Sequence, residues 1–168
     1  ISFTSEEAIN AVGYRAIPSE FSTFSYRFIL ENAEAILRCY GVTIFTSVVG
    51  TILGVLVNAF YAYALSRPEF RYRKFFTWLQ FITMLFGGGL VPTYIIITQV
   101  FHLQNTIWVM IIPSLNSAWN IIVLRTFFQT SVPGAIIESA RIDGASELKT
   151  FFRIVWPISL PGIATIAL

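Results

Sequence analysis

Glu138, Arg141, Asp143, Glu147, Lys149 and Arg153 fall in one short stretch, Glu138 to Pro161, among apolar residues and a lone Gly144. Such a mixture suits recognition and mechanical linkage better than bond-making. The sequence offers no paired carboxylates, nucleophile triad or metal-ligand cluster for an active site. Its single histidine, His102, and single cysteine, Cys39, leave little for acid–base or metal chemistry. One cysteine also excludes an internal disulfide framework and a Cys-based zinc site. No Gly-rich loop followed by Lys-Ser/Thr occurs, so no nucleotide site is expected.

Two short helices and a bend would position these residues. Ser131 is expected to cap the first helix, with Pro133 in its first turn. Ile136, Ile137 and Ala140 share one face, and Glu138 and Arg141 sit together on another. Asp143-Gly144 breaks the helix, Gly144 by accepting positive φ and Asp143 by capping the second helix. That second helix carries Leu148, Phe151 and Phe152 on one side and leads into an apolar run shaped by Pro157 and Pro161. An elbow of this kind either presents a knob to a partner and transmits its motion, or simply connects two helices.

The flanking composition belongs to lipid. The 168 residues are 55% hydrophobic and 12% charged, with mean hydropathy +0.70. Soluble domains carry about 25% charged residues. A formal charge of +2 without a dense basic stripe argues against nucleic acid as a partner. No Asp, Glu, Lys or Arg lies between Cys39 and Ser66, and Tyr40 to Leu65 is expected to form a first span. Its small residues, among them Gly50, Gly54, Ala59 and Ala62, suit close helix packing. Phe75 to Leu124 is again free of formal charge, yet as one straight helix it would measure about 75 Å, far beyond a core of about 30 Å. A turn at Gln99–Thr106 divides it into spans Phe75–Thr98 and Ile107–Leu124. A fourth span starts near Ile154 and is cut off at Leu168. The expected fold class is therefore all-α, a polytopic transmembrane helix bundle. The chain opens at Ile1 and stops inside an apolar run, which reads as a fragment holding three full spans and part of a fourth.

Orientation follows from Lys and Arg. The loop 66–74 holds four, the segment 125–153 holds four, and the turn 99–106 holds none. The positive-inside rule places the first two in the cytoplasm and the last outside. Residues 1–39 then lie outside, as short amphipathic helices near the membrane face. Arg67, Arg71, Arg73 and Lys74 are read as topology-setting charges that touch lipid head groups, without a dedicated binding role. Thr93, Tyr94, Asn116, Trp119 and Asn120 either line a solute pathway or hold helices together; Asn58 belongs to the same set of neutral polar groups. Gly87-Gly88-Gly89 with Pro92 invites a local break, as a hinge or as a close helix crossing.

At Glu138, Ala140, Gly144, Ile154 and Pro157 the sequence resembles the EAA loop of permease subunits of bacterial ABC importers. That signature runs Glu-Ala-Ala, three residues, Gly, nine residues, Ile, two residues, Pro; here Ser139 replaces the middle Ala. Asp143-Gly144-Ala145 and the Phe151/Ile154/Pro157/Pro161 spacing resemble the carbohydrate-uptake branch, related to the smaller permease of the maltose transporter. Phe86 to Tyr94, Asn105-Thr106 and Arg125 to Gln129 resemble a subgroup for oligosaccharide or polysaccharide uptake in Gram-positive bacteria.

The resemblance implies a multi-pass protein of the bacterial plasma membrane, with the coupling loop at 131–157 in the transmembrane domain 40–168. It implies a cytoplasmic ABC ATPase dimer, a second permease subunit and an extracellular solute-binding lipoprotein as partners. ATP and Mg would reside on the ATPase, and this chain would bind no cofactor. Glu138, Ser139, Ala140, Asp143, Gly144, Ala145, Leu148, Phe151, Ile154 and Pro157 would form the ATPase-coupling loop. Glu138 would pair with a basic residue of the ATPase or with Arg141 alone. Ala140, Ala145, Leu148 and Phe151 would pack in the ATPase groove or against the chain's own helices. The alternatives are a permease for another solute, and a secondary transporter or membrane scaffold that needs no ATPase.

Overall fold

The computed structural model describes Gly13 and residues 23–167. Among these residues every regular element is helical. The expectations for residues 1–12 and 14–22 lie outside the described residues. The chain divides into two compact units, Ile1–Phe45 and Thr46–Leu168. The first contains α1 (Phe24–Glu31) and the opening turns of α2 (Ala33–Ser66). An exposed Arg27–Glu31 pair at 3.0 Å supports α1 at i, i+4 spacing, and Cys39 is a free, exposed thiol.

The second unit is built around the remainder of α2. At 34 residues this helix is long and apolar enough to cross a membrane by itself. Its length of about 51 Å exceeds the hydrocarbon core, so Tyr40–Leu65 fits inside it. The helix is apolar all round, and residue size rather than polarity selects its packing face. Gly54, Asn58, Ala59, Ala62, Tyr63 and Leu65 are buried at helical spacing. The small ones let other helices approach closely. Ile121, Leu124, Phe128, Val132, Ile137, Phe151, Val155 and Ile163 complete the core around them.

The other two expected full spans are not continuous helices. Between Phe75 and Thr98 the chain forms α3 (Arg73–Leu85), breaks, and resumes as α4 (Leu90–Ile95) with a π-helical turn over Ile96–Val100. The two arms are bent by 117°. Gly89 adopts φ 80°, which a Cβ resists, and three successive glycines give the break no side chains to oppose it. The run of charge-free residues thus bends at the glycines as well as at the expected turn. That turn is present: His102 and Asn105 take positive φ there, a conformation His and Asn tolerate better than most residues.

The span expected over Ile107–Leu124 is also split. A short α5 (Trp108–Ile111) tightens into a 3₁₀ turn over Ile112–Ser114, and α6 begins only at Ala118 and runs to Ser131. Pro113 sits at the start of that tightened turn. Free backbone groups at such a gap must find partners away from water. Asn58 supplies them from α2: its Nδ2 donates to the Leu115 carbonyl at 3.0 Å and its Oδ1 accepts from the Ser117 amide at 3.0 Å. Nothing in the spacing of residues signals that this gap depends on one distant amide.

The chain continues through α7 (Gly134–Ile142), α8 (Glu147–Thr150), a π-helical turn over Phe151–Val155, α9 (Trp156–Ile158) and α10 (Leu160–Ala167). The helical stretch Glu147–Ile158 meets α10 at 80°. Gly162 on α10 rests against the Phe127 ring of α6, where an added Cβ would lie 2.8 Å from ring carbons.

Candidate functional site

Val132 precedes Pro133, and the proline ring pushes it into an extended conformation, φ −109° and ψ 103°. Helix α6 therefore ends at Ser131, and Ser131 does not cap the next helix as expected. Pro133 occupies the cap position of α7 without a side-chain hydrogen bond. At the far end α7 closes in a Schellman motif. The Ala145 amide donates to the Ala140 carbonyl at 2.9 Å and the Gly144 amide to the Arg141 carbonyl at 3.1 Å. Gly144 takes φ 74° there, and a Cβ on it would meet nothing within 4 Å. Its requirement is thus conformational. Gly144 and Ala145 use up the turn, so α8 starts later than expected. Ser146, not Asp143, caps it, accepting the Lys149 amide at 3.4 Å.

The elbow so formed is clamped to the end of α2. Arg141 does not pair with Glu138. Its guanidinium lies 2.9 Å from Glu147 and 3.6 Å from Glu69, which stands in the loop after α2. The other Glu147 oxygen accepts the Tyr63 hydroxyl of α2 at 2.8 Å, and Arg67 stacks over the Tyr63 ring at 4.5 Å. Arg141 first, then the Tyr63 hydroxyl, hold the Glu147 carboxyl below the usual carboxylate range. Beneath the clamp, Phe151 stacks on Phe60 of α2 at 4.5 Å between ring centroids, and Phe152 meets the same ring edge-on at 5.5 Å. The two Lys/Arg-rich segments, 66–74 and 125–153, therefore meet.

Burial separates the apolar elbow residues that the sequence left together. Ala140 and Phe151 are buried against the chain's own helices, Phe151 completely. Leu148 is 62% exposed, and Ile142, beside the bend, is 84% exposed. Glu138 and Asp143 are exposed near them; Ala145 and Ile154 are half-buried, and Pro157 is exposed. Ser139 is exposed and spends its hydroxyl on the Ala135 carbonyl at 2.9 Å. Sequence reasoning missed Ile142, Glu69 and Tyr63 as parts of this site and gave Glu147, within the stretch, no role of its own. An isoleucine set between Arg141 and Asp143 was the one readable signal.

The neutral polar residues do not converge. Asn120 joins Asn58, Thr46, Ser47, Thr51 and Ser114 around an open cleft of about 330 Å³ along α2. Thr93 lines a separate, mostly apolar pocket with Ile96 and Phe101. Tyr94 and Trp119 are exposed, as is Asn116. Among the described residues no group of His, Cys, Asp and Glu is placed to hold a metal ion.

Comparison with known proteins agrees with this architecture. The chain is 38% identical over 167 residues to the polygalacturonan/rhamnogalacturonan transport system permease protein YtcP of Bacillus subtilis (strain 168), covering 99% of this chain and 57% of that protein. It is 35% identical to protein LplC of the same organism, covering 99% and 56%. The chain thus spans little more than half the length of these relatives. A crystal structure of a bacterial ABC transporter involved in the import of the acidic polysaccharide alginate superposes with TM-score 0.82 at 29% identity, covering 99% of this chain and 58% of that one. Residues 50–168 match the model of the binding-protein-dependent transport system inner membrane component, and the chain belongs to that family.

Proposed function

We propose that this chain is the core of a multi-pass permease subunit of an ATP-driven importer in a bacterial plasma membrane. The solute is a sugar or oligosaccharide, delivered from outside by a solute-binding lipoprotein. A cytoplasmic ABC ATPase dimer supplies the energy and binds ATP and Mg, while this chain binds no cofactor. A second permease subunit completes the pathway. Family membership and the names of the relatives support the solute class: one is named for polygalacturonan and rhamnogalacturonan, and the structural neighbour for alginate.

One observation carries the coupling role. The elbow is anchored where it meets α2, through the Arg141–Glu147–Tyr63 clamp, and apolar where it is exposed, at Ile142 and Leu148. A knob on the ATPase needs both properties. Glu138, Ser139, Asp143 and Ala145 flank the apolar tip, and Glu138 is free for a basic partner residue. Ala140, Phe151 and Ile154 anchor the knob from within, and Gly144 and Pro157 shape its backbone.

The cleft that Asn120 shares with Thr46, Ser47, Thr51 and Ser114 is the better-supported stretch of pathway, because amides and hydroxyls bond sugar hydroxyls, while Asn58 in its wall spends its own amide on the backbone. Thr93, Tyr94, Asn116 and Trp119 belong to the pathway only if the second permease closes over them. Uptake by the assembled full-length transporter in proteoliposomes tests the reading, with labelled galacturonan oligosaccharide and the binding protein supplied on one face. ATP-dependent accumulation is expected. Uptake driven by a proton or sodium gradient without ATP would instead favour a secondary carrier.

A further inference from the structure

Helices α3 and α6 border a further cavity, of about 520 Å³, lined by Arg73, Lys74, Thr77, Trp78, Arg125 and Gln129. Three cations face it and no carboxylate lines it. Among the described residues the ion pairs use Arg27 and Arg141, and none of these three cations. Arg125 donates from Nη1 to Thr77 Oγ1 at 3.2 Å. The Thr77 hydroxyl in turn donates to the Arg73 carbonyl at 2.6 Å, so its oxygen is fixed as an acceptor toward Arg125. The Nε of Arg125 is buried and has no hydrogen-bond partner. Three cations around one open cavity, with no carboxylate in its lining, leave charge-assisted donors for an anion with several oxygens.

The cavity's position says which anion. Lys74 and Arg125 bracket the long charge-free stretch, one immediately before Phe75 and one immediately after Leu124. The cavity therefore lies at the rim of the apolar layer, level with head groups. Trp78 and Phe75 on α3 are 68% and 64% exposed beside it, as aromatic residues are at a membrane–water boundary. We propose that this cavity is a binding site for the phosphate of an anionic glycerophospholipid on the Lys/Arg-rich face of the membrane. Arg125 donates from the part of its guanidinium that Thr77 leaves open, Arg73 and Lys74 supply charge, and Gln129 and the Trp78 indole supply neutral donors. This gives Arg73 and Lys74 a dedicated role that their place in the sequence did not suggest. It does not depend on the coupling function, because the cavity and the elbow share no residue.

Native mass spectrometry of the full-length permease in its assembled transporter tests the site. The complex is taken from nanodiscs of phosphatidylcholine with phosphatidylglycerol, and the retained lipid is identified. Wild type should hold phosphatidylglycerol in preference to phosphatidylcholine. Arg125→Gln should lower that retention about five-fold, and the pair Arg73→Gln with Lys74→Gln by more, at about five-fold per cation. Arg71→Gln, an exposed cation of the same loop outside the cavity, should leave it unchanged. Equal retention in all variants would overturn the proposal, as would an equal loss in Arg71→Gln. Displacement of the lipid by inorganic phosphate would assign the cavity to a soluble anion and overturn the lipid.

Discussion

The Tyr63 hydroxyl donates to the Glu147 carboxylate at 2.8 Å across 84 positions of sequence. It ties the end of the long apolar helix α2 to the elbow, and Arg141 fixes the same carboxylate from the other side. The elbow and α2 are thereby joined through one carboxylate. Tyr63→Phe and Glu147→Gln should each destabilise the full-length permease in detergent, and the double variant should lose less than the sum. A coupling energy of about 0.5–1.5 kcal/mol is expected from a double-mutant cycle.

The clamp should also respond to acid. Glu147 has its pKa lowered in the folded protein, so its contribution is present above the unfolded carboxylate value and is lost as pH falls through the folded one. The effect begins below about pH 4.3, the ordinary glutamate value. Both partners are more than half exposed, so solvent screening keeps the loss small. Acid titration of permease stability should show a loss below about pH 4.3 that Glu147→Gln abolishes.

Gly144 is constrained by its backbone and not by its neighbours. Gly144→Ala should cost about 1–2 kcal/mol, because the residue must hold left-handed φ with a Cβ. Gly144→Asn should cost clearly less, since Asn visits that region more readily. Equal losses in thermal unfolding would mean that space matters there after all.

Gly162 is the opposite case. Its backbone is ordinary, but a Cβ would press into the Phe127 ring. Gly162→Ala should destabilise the packing of α10 on α6 by about 1–3 kcal/mol. Phe127→Leu in the same chain should recover part of that loss.

Asn58 closes the gap before α6. Asn58→Leu removes partners from the Leu115 carbonyl and the Ser117 amide together, with an expected cost of about 1–3 kcal/mol. Hydrogen exchange at Ser117 should rise, while exchange within α3 stays as it was.

Much of this was legible in the sequence. The absence of charge from Tyr40 to Leu65 marks α2, because lipid forbids unpaired charge over that length. Gly144 marks the bend because no other residue closes a Schellman motif so cheaply. The span breaks were harder to read. Phe75–Thr98 has the length and charge-free composition of one span; Gly87-Gly88-Gly89 with Pro92 signalled a local break, and the φ of Gly89 together with the open space around it makes that break a bend and not a close crossing. Ser131 and Asp143 have the chemistry of caps, yet Pro133 and the Gly144 turn shift the helix starts past them. The clamp was illegible for a different reason: Tyr63, Glu69 and Glu147 are ordinary residues until the fold brings them to Arg141. Likewise Ile142 and Phe151 look alike in sequence, and only packing decides that one is presented and the other buried.

The central claim is that the exposed tip of the elbow seats on an ATPase. The most direct test is co-purification of the ATPase with the full-length permease in detergent, comparing wild type with Ile142→Glu and Leu148→Glu. Both side chains are exposed, so neither change should unfold the chain. The account predicts that wild type brings the ATPase down and that both variants lose it while retaining their own stability. An ATPase held equally by all three, or by none, would contradict it.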